Sequence, residues 1–244
     1  MKIVLLYVFT FLLTLVDQPQ TIMDAFKSGS FGDKDITMVG YAKMHAQIRK
    51  NHIVKLTEHT AQNITRRCGA TVIGRYQLVT NCHCFNKSIQ YLETSVTLGS
   101  LVVDGNDGIK IDFSMTQVEC HPGYLSKDDK ERSACDLAII TLDIPLNNFN
   151  IVKLSQSSIT ANAKAMFISM GDFQNPDDVF YRTQQYHIVQ IISSYQNNLR
   201  CFSTTGQPGE GNSGMGLFQF DGKGNIVLIG IYTGLVRTHP TDMT

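Results

Sequence analysis

Beyond its first sixteen residues, the apolar runs of this chain are short, rich in residues branched at Cβ, and closed off by Gly, Asn or Asp. Ile53-Val54-Lys55-Leu56, Ala70-Thr71-Val72-Ile73, Gln77-Leu78-Val79-Thr80 and Ser95-Val96-Thr97-Leu98 form one group. Leu137-Ala138-Ile139-Ile140-Thr141-Leu142, Ala165-Met166-Phe167-Ile168-Ser169-Met170, Tyr186-His187-Ile188-Val189-Gln190-Ile191-Ile192, Gly216-Leu217-Phe218-Gln219-Phe220 and Ile226-Val227-Leu228-Ile229-Gly230-Ile231-Tyr232 form a second. Cβ-branched side chains fit a pleated strand better than a helix, and runs of this length separated by turn residues predict an all-β barrel or sandwich. Phe220-Asp221-Gly222-Lys223-Gly224-Asn225-Ile226 predicts a hairpin. Helical periodicity is confined to modest candidates at residues 22–26 and after Cys84. A polar stretch at residues 147–160 separates the two groups of runs and reads as a linker between subdomains.

The first sixteen residues, MKIVLLYVFTFLLTLV, break this pattern: one lysine precedes an uncharged, mostly apolar run, and Asp17-Gln18-Pro19-Gln20 follows it. The run is shorter than the roughly 20 apolar residues of a spanning helix, so it predicts a secretory signal peptide over residues 1–20 rather than an anchor. Export to an oxidising compartment makes disulfides the expected state of the six cysteines. Asn63-Ile64-Thr65 and Asn86-Lys87-Ser88 are glycosylation sequons that agree with that route. With 43% hydrophobic and 17% charged residues the chain is neither disordered nor wrapped around a polyanion. Its 21 basic and 21 acidic residues cancel, so no global field draws it to nucleic acid or, once the signal is removed, to a membrane.

Two short motifs carry the chemistry. In Gly211-Asn212-Ser213-Gly214, flanking glycines allow a tight turn that presents a serine hydroxyl, while adjacent backbone N–H groups can face a developing oxyanion. In Thr80-Asn81-Cys82-His83-Cys84, His83 is a candidate base for that serine. Cys82-His83-Cys84 also invites a metal reading, but adjacent ligands strain a tetrahedral site and no Cys-x-x-Cys or His-x-x-x-His partner is present.

Cys68-Gly69-Ala70-Thr71-Val72-Ile73 and Leu78-Val79-Thr80-Asn81-Cys82-His83-Cys84 resemble the Cys-Gly-Gly-Thr-Leu-Ile and Leu-Thr-Ala-Ala-His-Cys segments of chymotrypsin-like and trypsin-like serine proteases. Asp136-Leu137-Ala138-Ile139-Ile140-Thr141-Leu142, preceded by His121-Pro122-Gly123-Tyr124, resembles their Asp-Ile-Ala-Leu-Leu-Lys-Leu strand after His-Pro-x-Tyr. Gly211-Asn212-Ser213-Gly214 stands for their Gly-Asp-Ser-Gly, and the order His, Asp, Ser is theirs. The resemblance covers residues 38–244 and implies two packed antiparallel six-stranded β-barrels, over residues 38–150 and 151–244, with the active site between them. It implies Ser213 as nucleophile, His83 as general base, Asp136 as the group orienting His83, and Gly211 and Ser213 as oxyanion-hole donors. It implies a Cys68–Cys84 disulfide, protein or peptide substrates, protease inhibitors as partners, and no metal or cofactor. Cys120 and Cys135 flank one loop and are candidates to bridge it, which leaves Cys82 and Cys201 unassigned.

The chain also departs from that family. Asn212 stands where an aspartate pairs with the new amino terminus released by zymogen cleavage, and an amide supplies no full countercharge. The counterpart of the Ile-Val-Gly-Gly start is Met38-Val39-Gly40-Tyr41, after Thr37 and with Lys34 the nearest basic residue; residues 21–37 would then be a pro-segment. Gln207 falls near the floor of the specificity pocket, which disfavours selection of Arg or Lys, and Met215-Gly216 replaces Gly-Pro. Thr233, in Gly230-Ile231-Tyr232-Thr233-Gly234, takes the place of a serine in the strand that pairs with substrate. The chain stops at Thr244 without counterparts of the last strand and helix, so either the second barrel is incomplete or the gene product is truncated. Two functions follow: a secreted serine endopeptidase working through an acyl-enzyme, or a non-catalytic homologue that acts as a secreted binding or regulatory module.

Overall fold

The computed structural model describes residues 54–57, 65–85, 91, 93–99, 108–125, 135–147, 149–155, 163–169, 185–194, 202–204, 211–221 and 223–233. The expected signal peptide and pro-segment, Met38-Val39-Gly40-Tyr41, the sequon asparagines Asn63 and Asn86, Cys201, Gln207 and everything from Gly234 onward lie outside these residues. Among the described residues every element is a strand or a short 3-10 turn. In chain order the strands are β1 (Val54–Thr57), β2 (Thr65–Cys68), β3 (Thr71–Val72), β4 (Gln77–Thr80), β5 (Glu93–Leu98), β6 (Ile109–Asp112), β7 (Val118–Cys120) and β8 (Ala138–Thr141). Then come β9 (Lys153–Leu154), β10 (Lys164–Ser169), β11 (Gln185–Ser194), β12 (Phe202–Thr204), β13 (Gly216–Phe220) and β14 (Ile226–Ile231).

The first half holds two four-stranded sheets, ordered β2-β1-β5-β6 and β3-β4-β8-β7. Gly69 and Ala70 separate β2 from β3, and residues 113–117 separate β6 from β7, so at each place the chain leaves one sheet and enters the other. Such bends turn two flat ladders into the corners of a barrel. Counting each bent pair as one strand gives the six runs implied for the first barrel, although the hydrogen-bond ladders are interrupted at the corners. Ser114 builds the second corner: its hydroxyl accepts from the Thr116 N–H at 3.1 Å, while its own N–H donates to the Gln117 side chain at 2.7 Å. Gln117 Nε2 then donates to the Thr141 carbonyl at 2.9 Å, which ties the corner to β8. Among the described residues the second half is one six-stranded sheet, ordered β12-β11-β10-β13-β14-β9.

Alternation along each strand divides the core. Leu78 of β4 and Ala138 and Ile140 of β8 pack inside the first half with Ala70, Val72, Val96 and Leu98. Their neighbours Val79 and Ile139 point the other way, onto Met166, Ile168, Phe218 and Leu228 of the second half. Ala165 and Phe167 of β10 and Leu217 of β13 fill a further cluster on the far face of the second sheet. β4, β8 and β10 are therefore covered on both faces, which is why their sequences read as nearly continuous apolar runs.

The strand expected at residues 53–56 is observed at Val54–Thr57, and those at Gln77–Thr80 and Gly216–Phe220 coincide with the sequence runs. β2, β6, β7, β9 and β12 escape the sequence reading because they are short, polar or edge segments without an apolar signal. β9 lies inside the stretch expected to be a linker, where it pairs in parallel with β14 through Val227↔Lys153 and Leu228↔Leu154. Just before it, the Val152 N–H donates to the Val72 carbonyl at 3.1 Å, so this stretch also joins the two halves.

Candidate active site

The β4–β8 ladder sets the geometry. Thr80 pairs with Ala138, so the chain leaving β4 and the chain entering β8 lie side by side at one end of the sheet. His83 follows Thr80 in the 3-10 turn Cys82–Cys84, and Asp136 precedes Ala138, which brings the two together across a large sequence separation. The backbone N–H of His83 donates to Asp136 Oδ1 at 2.9 Å, and His83 Nδ1 lies 2.5 Å from Asp136 Oδ2. A carboxylate can only accept, so Nδ1 carries a proton, and in the neutral imidazole the lone pair is on Nε2. Asp136 is buried at 7% exposure, while the His83 side chain is 37% exposed. The acid is shielded and the imidazole faces the open side.

Asn81 is a member of this cluster that the sequence reading passed over. Its Nδ2 donates to the Asp136 carbonyl at 2.6 Å, and its side chain is completely buried. The signal available in the sequence was a carboxamide two residues before His83 where the resembling segment carries alanine.

Ser213 sits in a four-residue turn closed by the Met215 N–H donating to the Asn212 carbonyl at 3.1 Å. Gly214, third in the turn, has φ of 89°, the signature of a type II turn and a conformation that suits glycine. A Cβ on Gly214 would also run into the Gly69 carbonyl and the Thr80 hydroxyl. The Gly214 N–H donates to the Tyr232 carbonyl at 2.7 Å and the Tyr232 N–H to the Met215 carbonyl at 2.9 Å, so the turn grows directly out of the β13–β14 ladder. Thr233 follows Tyr232 and is exposed beside this turn. The Tyr232 ring meets Phe167 edge-on with centroids 5.5 Å apart, and burial pushes its hydroxyl above the usual tyrosine value.

The two halves of the site meet through Gly69. Its N–H donates to the Ser213 carbonyl at 2.6 Å, and its carbonyl accepts from the Thr80 hydroxyl at 2.7 Å. A side chain on residue 69 would collide with Met215, so only glycine permits this approach. No hydrogen bond joins the Ser213 hydroxyl to His83 in this structure, and among the described residues no acceptor takes the N–H of Gly211 or of Ser213. Asn212, between them, is completely buried.

Disulfides pin the histidine turn on both sides. Cys68 bonds Cys84, with Cα atoms 6.4 Å apart. Cys82 bonds Cys120, with Cα atoms 5.4 Å apart, so the bridge considered between Cys120 and Cys135 is not the one formed, and Cys135 is a buried free thiol. The reason is the register of β7 on β8: Cys120 pairs with Ala138, beside Thr80 on β4, which brings it against the turn that begins at Cys82. Donor atoms of Cys68, His83 and Cys84 cluster within 4.8 Å, but both sulfurs are spent on one disulfide and offer no thiolate to a metal.

Comparison with known proteins bears on the fold and the family. The family model described as Trypsin matches residues 42–241. A stretch of 85 residues, 35% of this chain, is 28% identical to Transmembrane protease serine 9 of Rattus norvegicus; it spans 8% of that protein's length. The crystal structure of the scabies mite inactivated protease paralogue S-I1 aligns with a TM-score of 0.61 and 14% identity, over 80% of this chain and 86% of that one. At that identity the likeness speaks for the fold, the all-β double barrel of chymotrypsin-like proteins, although among the described residues neither barrel's hydrogen-bond ladder closes.

Proposed function

The chain belongs to the trypsin family, and from that premise we propose that it is a secreted serine endopeptidase that cleaves peptide bonds through an acyl-enzyme. The observation that carries this reading is the pairing of His83 with a shielded Asp136, which leaves the Nε2 lone pair available on the open side. The scheme that follows is the triad scheme defined on members of this family. His83 Nε2 takes the proton of Ser213 Oγ as that oxygen attacks the substrate carbonyl. Asp136 holds the imidazole in the required tautomer and stabilises the imidazolium. The carbonyl oxygen, now an oxyanion, accepts from the N–H groups of Gly211 and Ser213, which have no acceptor among the described residues. His83 then protonates the leaving amine, and water, deprotonated by the same imidazole, releases the acid. Gln207 and Thr233 are assigned to substrate contact, with protein or peptide substrates and protein inhibitors as partners.

The test is labelling of the purified full chain by a fluorophosphonate, before and after limited proteolysis around residues 34–38, with Ser213→Ala as the control. Labelling that disappears in the control supports the proposal, and its absence under both conditions refutes it. The second reading, a secreted homologue that binds without cleaving, draws on Asn212. This buried amide cannot offer an activating amino terminus a full negative charge, and a buried ammonium without one is poorly compensated. Turnover of a mixed peptide library would exclude it. No helix among the described residues is long and apolar enough to cross a membrane.

A further inference from the structure

We propose that Asn81 is a positioning residue for the His83–Asp136 pair, fixing through its carboxamide the peptide unit that carries the Asp136 carboxylate. Its Nδ2 donates to the Asp136 carbonyl at 2.6 Å. Because that partner can only accept, the orientation of the amide is set by chemistry: the NH2 faces Asp136 and the oxygen faces away. That oxygen, Oδ1, is buried and has no hydrogen-bond partner among the described residues.

A residue chosen for packing would not look like this. The side chain is completely buried, and its unpartnered acceptor carries a desolvation cost that an apolar side chain would not, so what the amide adds in return is the bond from Nδ2 to the Asp136 carbonyl. The carbonyl it serves lies where no ladder reaches, since β8 begins only at Ala138 and the Leu137 N–H turns back to the Cys135 carbonyl at 2.7 Å. Among the described residues, every hydrogen bond to Asp136 comes from positions 81–83: the Asn81 amide to its carbonyl, the His83 N–H to Oδ1 and the His83 ring to Oδ2. With the main-chain carbonyl and the carboxylate held by the same short segment, Asp136 cannot rotate away from the imidazole unless one of these contacts breaks. Removing Asn81 frees the main-chain end and leaves the carboxylate to hold its own position. Cys82, between the two donors, is anchored to β7 by its disulfide, so the segment making these contacts is itself fixed.

The kinetic part of this inference rests on the acyl-transfer reading, but the spectroscopic part does not. The experiment uses the full chain with Asn81→Ala and with Asn81→Val, the second keeping more of the packed volume. Three quantities are read: the thermal midpoint, the low-field proton resonance of His83 Nδ1–H assigned by its loss in His83→Ala, and the fluorophosphonate labelling rate split into probe binding and reaction. The expected result is a midpoint little changed from that of the parent, since relief of the unpaired Oδ1 is offset by loss of the Nδ2 bond, which leaves the Asp136 carbonyl without its donor. The low-field resonance is expected to broaden or move upfield in both variants, and the reaction step to slow by about tenfold or more with probe binding unchanged. A midpoint that falls while the resonance stays in place would show that Asn81 only packs, and overturns the proposal. If the parent does not label, the endopeptidase reading fails, and the resonance alone still decides: its movement supports the positioning role and its persistence in both variants refutes it.

Discussion

Replacing Cys82 and Cys120 together by alanine removes the bridge that ties the histidine turn to β7, and its effect can be worked from the chain. The bonded residues are 38 apart in sequence. Closing a loop of that size in the unfolded chain is expected to stabilise the fold by about 3.9 kcal/mol on the chain-entropy model. The second bridge, with a separation of 16, shares only residues 82–84 with this loop and does not shorten it, so no discount applies. The same relation gives about 3.1 kcal/mol for Cys68–Cys84, so the double alanine variant at 82 and 120 should be the less stable of the two. For a chain of this length the loss corresponds to a fall in melting temperature of roughly 8–16 °C. Alanine is the right replacement because Cys82 is 3% exposed, and serine would bury a hydroxyl there. The assay is urea unfolding with a non-reducing tryptic map. Trypsin leaves Cys82 and Cys84 on residues 76–87, Cys68 on 68–75, Cys120 on 111–127 and Cys135 on 133–153. The observed pairing predicts that the first three peptides migrate as one linked cluster, while 133–153 is open to alkylation. A loss below about 1 kcal/mol would refute the loop-entropy reasoning. A linked pair of 111–127 and 133–153 would refute the pairing itself.

Gly214→Ala is expected to destabilise by at least about 1–3 kcal/mol from backbone strain alone, with collision against Gly69 and Thr80 in addition. An unchanged melting temperature would sink that reading of the turn. Phe218→Ala removes a completely buried ring from the contact between the two halves and should cost about 3–5 kcal/mol in urea unfolding. A cost near that of a surface substitution would mean that the halves do not rely on this contact. The carboxyl of Asp221 is held below its ordinary value, first by the Asn225 side chain, then by the N–H groups of Asn225 and Lys223. A pKa depressed on folding adds stability above the unfolded value, and that stability fades as pH falls through the folded one. The stability gap between the parent and Asp221→Asn should therefore be full at neutral pH and close below about pH 4. A gap that stays constant into acid would contradict the role given to these hydrogen bonds.

Residue order alone was enough for the strand class and the three candidate residues. Runs such as Gln77–Thr80 and Gly216–Phe220 announce strands because their apolar content and flanking turn residues are local properties. His83, Asp136 and Ser213 could be singled out because each sits in a short motif readable in one line of text. The Gly214 turn was legible for the same reason, since a conformation at φ of 89° is written into the chain as glycine.

What tertiary structure decided are the relations between distant segments. Whether Cys120 bonds Cys135 or Cys82 depends on which Cα atoms come within bridging distance, and the register of β7 on β8 settles it for Cys82. β9 exists only because β14 lies beside it: two residues including a lysine carry no strand signal of their own. Asn81 is the sharpest case. In the sequence it is one amide near a histidine, and its meaning comes from the Asp136 carbonyl delivered to it by the β4–β8 pairing. Local propensities and turn chemistry act over a few residues and can be read from them, whereas hydrogen bonds and disulfides between remote segments depend on distances that only the packed chain defines.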